Sequence, residues 1–432
     1  MACARYLAFE LVERPSWRKV KDKNHTVPKV SEMITQILQY KNTWRKISCN
    51  RIENMRKFYS VQQEMYLEFL YQVQIGEEIG VLDRGNFEEI INDEVNKLNF
   101  KRGTKRNNAD AAIFSKQKYM KRSLTENLER NTNSQNMDEK TQRNHQDRGD
   151  YITVDEATNG GSLSSTDSLP SSLDAELYME ENSNTKLSKT VETINLLRGY
   201  RHLKNELSKI PKEERSGYLG IIDVESCIRK CHEILMKDLM DKHRTAPGRF
   251  SVLPRTTEFQ GIQYFYPSYK TEDIAYDAVQ AVVDQYNRMI HEISGIKSER
   301  EKLESSFKCA SVLLFSFLTL HPFSDGNGRL ARLLCNHCLK VFCPFPTAIY
   351  NVFSPSTRDD YLNAIVKARK TLNLTTDRLD FSNDSVREAM LIMEQKPDEL
   401  CSLIIESNWF TWRHFLRKIG KTIPLLNFEE PF

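Results

Sequence analysis

Residues 321–332, HPFSDGNGRLAR, bring together side chains suited to handling a phosphate chain. His321 is a base able to work near neutral pH, and Asp325 is a hard oxygen ligand of the kind Mg²⁺ takes. Gly326, Asn327 and Gly328 supply a run of backbone N–H groups that can approach phosphate oxygens closely. Arg329 and Arg332 add the opposite charge, spaced so that in a helix both reach one polyanion. A lone histidine before a proline, or a lone Gly-Asn-Gly, is an ordinary turn feature. The constellation is what points to an anion site.

The flanking stretches must position these groups. Upstream, Phe307, Ala310, Leu314 and Phe317 recur at three- and four-residue steps, which predicts a buried helix ending near Leu320. Pro322 pushes its predecessor out of the α region, so His321 is expected in a loop just after that helix. Downstream, Leu330, Leu333, Leu334, Cys338 and Val341 keep helical spacing, which puts Gly328 close to a helix start. Unpaired N–H groups and partial positive charge make such a start an anion site.

The segment resembles the Fic-domain pattern H-x-F-x-D/E-G-N-G-R-x-x-R at every specified position: His321, Phe323, Asp325, Gly326, Asn327, Gly328, Arg329 and Arg332. The resemblance extends over residues 190–370, one domain in size. Ile228 to Leu235 looks like the family's early helix. Pro247 to Phe250, followed by QGIQYFYPS, resembles its substrate-facing hairpin, the flap. Arg358 to Arg369 resembles the helix that closes the core. The fold implied is mainly α, with a helical core around the motif and a small β-hairpin.

The resemblance implies transfer of AMP from ATP to a Ser, Thr or Tyr hydroxyl of a target protein, or of the chain itself, releasing pyrophosphate. In that reading His321 is the general base. Asp325 holds Mg²⁺, Asn327 with the N–H groups of Gly326 and Gly328 forms the anion hole, and Arg329 and Arg332 grip the β- and γ-phosphates. Phe323 points into the core. Relatives that phosphorylate instead carry lysine at the second glycine, so Gly328 favours nucleotidyl transfer. Alternatives are hydrolytic removal of AMP on the same site, or an adaptor that binds nucleotide without transferring it.

Such proteins often carry an inhibitory helix with the pattern S/T-x-x-x-E-G/N, whose glutamate pairs with the second arginine. Cys49 to Asn54 fits at Glu53 and Asn54 and departs at Cys49, which makes Glu53 the expected inhibitory residue. Ser188 with Glu192, and Thr125 with Glu129, hold the first two elements only; each also reads as a solvated helix face.

Four regions follow: an N-terminal helical region at 1–100, a disordered insertion at 101–189, the catalytic domain at 190–370 and a C-terminal helical region at 371–432. The insertion is rich in Asn, Ser, Thr and charge and poor in large apolar residues, so burial cannot offset the entropy of ordering. Its basic ends, 101–106 and 118–122, read as solvating tethers. In the first region Val30, Met33, Ile34, Ile37 and Leu38 keep helical spacing, with Trp17 and Trp44 as packing aromatics. The aromatic group Trp409, Phe410, Trp412 and Phe415 is assigned to the core.

A net charge of +3 over 432 residues gives no case for nucleic acid as partner. No window approaches the roughly 20 apolar residues of a membrane span, and no signal peptide is visible, so a cytoplasmic location is expected, with the nucleus allowed and no membrane partner. Nine cysteines, several in apolar helical patterns, suit a reducing compartment. Cys227 with Cys231, and Cys335 with Cys338, read as packing residues rather than zinc ligands. The partner expected is a target segment added as an extra strand to the flap edge, Gly261 to Tyr266; a homodimer stays open. Ser251 stands where many relatives have arginine, which leaves target preference open.

Overall fold

The computed structural model describes residues 4–21, 27–48, 52–102, 172–209, 220–239, 244–340, 343–350, 354–370, 372 and 384–423. The chain is mostly helical. Its helices are α1 (Ala4–Leu7), α2 (Ser16–Lys21), α3 (Val30–Ser48), α4 (Ile52–Glu77), α5 (Arg84–Arg102) and α6 (Ser172–Lys209), then a π-helical turn (Val224–Arg229) running into α7 (Lys230–Leu235). After the strands β1 (Thr256–Phe259) and β2 (Ile262–Phe265) come α8 (Glu272–Ser294), α9 (Glu299–Leu320), α10 (Asn327–Leu339), α11 (Arg358–Lys370), α12 (Ser385–Met393) and α13 (Asp398–Lys418).

Two compact units divide the chain. The larger holds residues 1–91 and 184–432; the smaller, residues 92–183, comprises the end of α5 and the start of α6 among its described residues. Residues 172–189, placed in the disordered insertion by composition, are helical here, and the run LDAELYMEE is built of good helix formers. Residues 103–171, with Thr125 and Glu129, lie outside the described ones, as does Cys49.

The core of the larger unit is a stack of helices around α9. Ser298 caps α9 by accepting from the Glu301 N–H, and Thr271 does the same for α8 with Ile274, which fixes where both begin. The apolar face of α8, from Ala275 to Ile293, packs on α9 and α12, and α9 in turn meets α3, α10, α12 and α13. Contrary to the expectation that no window approaches a membrane span, α9 is long and apolar enough to pass for one by length and composition, and its burial on several sides explains why: it packs as a core helix. Trp409, Phe410, Trp412 and Phe415 are all buried, and Trp44 sits edge-on between Phe58 and Phe415 at 5.2 Å from each. Cys227, Cys231, Cys335 and Cys338 are buried free thiols, and no metal-binding group of three ligands exists among the described residues.

The strands form one antiparallel hairpin with Thr256 opposite Phe265 and Phe259 opposite Ile262. Its turn residues, Gln260 and Gly261, both have positive φ, the twist that a two-residue hairpin turn needs.

Candidate active site

Helix α9 ends at Leu320, and His321 closes it in the left-handed conformation, φ 46° and ψ 57°, its N–H donating to the Phe317 carbonyl at 2.9 Å. The proline does drive His321 out of the right-handed helix, but into this tight cap rather than into extended backbone. The chain then drops Phe323 into the core, fully buried and stacked on the His232 ring at 3.6 Å. Asn327 locks the loop from within: its Oδ1 accepts from the Phe323 N–H at 3.1 Å and its amide donates to the Phe323 carbonyl at 2.8 Å. Its side chain therefore shapes the loop rather than facing an anion. That departs from the role expected of it, because a buried amide takes the nearest backbone partners.

His232 holds the loop from outside. Its Nδ1 accepts from the Gly248 N–H and its Nε2–H donates to the Asp325 carbonyl, both at 2.9 Å, so one neutral tautomer serves both. Burial pushes its pKa down to about 4. Gly326 follows at φ 74°, a conformation that suits glycine, and a Cβ there would stand 2.7 Å from the Met236 sulfur.

Asp325 sits at the mouth of the turn. Its Oδ1 accepts from the Gly326 N–H at 2.6 Å and lies 3.4 Å from Arg329, while Oδ2 meets Arg244 at 2.5 Å. Burial alone would raise its pKa, but Arg329, the Gly326 N–H and Arg244 outweigh it and hold the carboxyl below its usual range. Arg329 and Arg332 follow in the first turns of α10, both nearly buried. The predicted helix start and its arginine pair are thus in place.

Each arginine faces a glutamate from another helix. Arg332 Nη2 lies 2.8 Å from Glu77 Oε1, with its guanidinium over the rings of Tyr350 and Tyr361. The Glu77 carboxylate also rests on the start of α10: a Cβ at Gly328 would stand 2.6 Å from both of its oxygens. Arg329 Nη1 lies 3.9 Å from Glu192 on α6. Glu192 also accepts from the Gly80 N–H at 2.7 Å, and Thr193 accepts from the Val81 N–H at 3.1 Å, so α6 holds the turn that follows Glu77.

Glu77 was not singled out by the sequence. The carboxylate beside Arg332 comes from the last residue of α4, whereas Glu53 stands in its first turn with its side chain outside the described ones. The two are separated by about 36 Å of helix at about 1.5 Å per residue. Val73 replaces the hydroxyl residue of the pattern and Glu78 replaces Gly or Asn. Glu78 nevertheless adopts φ 55°, the left-handed backbone that Gly or Asn would take more easily.

The flap anchors beside His321. The Ser251 N–H donates to the Pro322 carbonyl at 2.8 Å and Tyr269 Oη to the Leu320 carbonyl at 2.8 Å. Ser251 is buried and thus a structural anchor. Arg255 donates to the carbonyls of Ser251, Leu253 and Pro267, and Arg369 to that of Phe265 at 2.8 Å. Tyr266, just past β2, lays its ring on the His321 imidazole at 3.7 Å and 15°. Burial, with Arg255 and Arg369 adding to it against the Leu318 carbonyl and Asp325, pushes His321 down to about 3, so it is a neutral base at physiological pH.

Residues 222–339 match the model of the Fic/DOC family. Over 153 residues the chain is 31% identical to a ribonucleoside-diphosphate reductase small chain of Ostreid herpesvirus 1, covering 35% of this chain and 24% of that one. Over 90 residues it is 32% identical to a Fido domain-containing protein of Dictyostelium discoideum, covering 21% of this chain and 54% of that one. The chain thus spans about a quarter and about half of these relatives' lengths. Among solved structures, a Fic domain-containing signaling protein from Bacteroides thetaiotaomicron is 16% identical, covering 90% of this chain and 99% of that one at a TM-score of 0.47. Fic-1 from C. elegans is 18% identical, covering 53% and 52% at a TM-score of 0.32. With the family match spanning the π-helical turn through α10, and the complete motif at its end, this chain contains a Fic/DOC family domain.

Proposed function

We propose that the protein is an adenylyltransferase that moves AMP from ATP to a protein hydroxyl, and that Glu77 restrains it. The observation that carries this reading is the gathering, around the start of α10, of a neutral His321, the Asp325 carboxylate and two nearly buried arginines, with one carboxylate lying where a phosphate would sit. His321 would take the proton from the attacking hydroxyl as the new O–P bond forms at the α-phosphorus and pyrophosphate leaves. The N–H groups at the start of α10 would stabilise the charge that develops, with Arg329 and Arg332 on the departing phosphates.

Asp325 fits a Mg²⁺ ion: its carboxylate is about two-fifths exposed at the mouth of the turn, and Mg²⁺ commonly takes one or two protein carboxylates beside waters and phosphates. The ion would supply charge neutralisation along the phosphate chain. Arg244 and Arg329, which hold that carboxylate now, would be free to meet phosphate oxygens instead.

Glu77 would act by competition. A carboxylate on Arg332 and against Gly328 denies both to the nucleotide until α4 shifts. The same carboxylate could orient water for removal of AMP, and this favours a second activity on one site. The test is mass spectrometry after incubation with ATP and Mg²⁺. Glu77→Gly should add AMP, mass +329 Da as the adenylyl group, to the chain or to a lysate protein, and His321→Ala in that background should abolish it. No adduct from Glu77→Gly would refute the reading. Incubating a modified target with unaltered protein tests the hydrolytic activity.

A further inference from the structure

We propose that Tyr266 is a positioning residue for His321, its ring fixing the plane of the imidazole and tying the base to the strand that receives the target. The proposal deepens the transferase reading and rests on it. A general base is ordinarily oriented by a third group that hydrogen-bonds its second nitrogen. Here His321 Nδ1 is buried without a well-formed hydrogen bond, and the backbone group that acts on the ring is the Leu318 carbonyl of the preceding helix turn rather than a side chain that could set its plane. His321 also lies beyond the last helical residue of α9, outside the regular helix that would restrict its rotamers. What meets the ring is a flat face: Tyr266 at 3.7 Å between centroids and nearly parallel, closer than most aromatic pairs.

Tyr266 is itself held on several sides. The Arg369 guanidinium stands over its ring at 5.0 Å while donating to the preceding carbonyl, Phe265, at 2.8 Å. The Tyr266 N–H donates to the Arg255 carbonyl at 3.1 Å, which closes the base of the hairpin. Guanidinium, phenol and imidazole thus form a layered stack running from α11 through the flap to the motif. Because Tyr266 directly follows β2, a segment added along that strand acts on the residue that touches the base. A displacement of about 1 Å at a reacting group can lower a rate about 100-fold, so small shifts of this ring suffice to matter.

The groups that face His321 are Tyr266 and Arg255 from the flap, Arg369 from α11 and Asp325 from its own loop, with Tyr269 bonded to the neighbouring Leu320. Removing the Tyr266 ring opens the imidazole to water and leaves the two cations in place. Its protonation midpoint should then climb from about 3 toward the ordinary 6.5.

The experiment uses the full chain in the Glu77→Gly background and compares Tyr266→Ala, Tyr266→Phe and Tyr266→Leu. One readout is AMP transfer against pH. The other is carbethoxylation of His321 by diethyl pyrocarbonate against pH, read by peptide mass spectrometry, which requires no activity. The remaining histidines of the nine report whether the fold persists. Tyr266→Ala should lower kcat by about 10- to 100-fold with KM for ATP within about twofold. It should also raise both the acid limb of the rate profile and the midpoint of His321 modification. Tyr266→Phe should restore both, and Tyr266→Leu should not. The proposal is overturned if alanine leaves both readouts unchanged, if phenylalanine fails alongside alanine, or if the rate falls while the His321 midpoint stays put. Should the Glu77→Gly parent transfer no AMP, the transferase reading fails, and the modification midpoint still decides whether Tyr266 controls the imidazole.

Discussion

Two buried arginines of this molecule pair with glutamates and behave as opposites. Arg18 on α2 meets Glu406 on α13, with side-chain exposures of 4% and 0%. Glu406 also accepts from Trp17 Nε1 at 3.0 Å, and Arg18 donates to the Pro28 carbonyl at 2.8 Å. Arg332 meets Glu77 with exposures of 6% and 24%, and its Nε is buried without a partner. The first pair is closed on every side and joins the N-terminal helices to the C-terminal one. The second keeps its anion at the rim of a site whose cation has bonding capacity left over. Removing the glutamate strands a charge in the first case and, on the function proposed above, opens an anion site in the second.

That contrast can be broken most directly at Glu406. Glu406→Ala should lower unfolding free energy by about 3–5 kcal/mol, because Arg18 would remain buried without its counterion; urea denaturation measures it, and a loss under about 1 kcal/mol would erase the distinction. Acid gives the next largest effect, on the side of the site. His232 is held neutral at about 4 when folded against about 6.5 unfolded, so its contribution is complete above pH 6.5 and is lost as pH falls toward 4. At about 1.4 kcal/mol per pH unit this is about 3 kcal/mol, and His232→Gln should flatten the slope of the urea midpoint against pH.

Gly76→Ala sharpens the contrast further. A Cβ there would stand 2.1 Å from Tyr350 Oη and 2.4 Å from Arg332 Nη1, an overpacking expected to cost about 1–3 kcal/mol by thermal denaturation. If the fold accepts it, the strain falls on the Arg332 contact, and ATP binding measured by calorimetry should change with it. The smallest change in stability is expected at Glu77 itself. Glu77→Ala should move unfolding free energy by no more than about 1 kcal/mol, since its carboxylate is partly hydrated and its loss admits water to Arg332. The same variant should bind ATP more tightly, by a tenfold change or more, and equal affinity would mean that Glu77 is not a restraint.

The site was legible where its parts are neighbours in the chain. His321 beyond a helix end, and Arg329 and Arg332 in the first turns of a second helix, follow from short-range spacing and from Pro322, while Phe323 in the core was implied by the resemblance of the motif. The fold was legible as helix wherever apolar residues recur, as in α3, α9 and α10. Glu192 illustrates the limit. As a sequence feature it reads as a glutamate on a solvated helix face that holds only the first two elements of the inhibitory pattern, and nothing local says that it reaches Arg329 and Gly80. Asn327 shows the converse, since a motif residue that suits an anion is turned by its loop toward the Phe323 backbone.

By itself the sequence determined which segment carries the Fic motif and which elements flank it, because helix ends, glycine turns and arginine spacing are matters of a few consecutive residues. Only the tertiary structure decided which carboxylate closes on Arg332, which helix holds the turn behind it, and which ring lies on His321. Those partners sit far apart along the chain, and packing of whole helices, rather than any local pattern, brings them within contact.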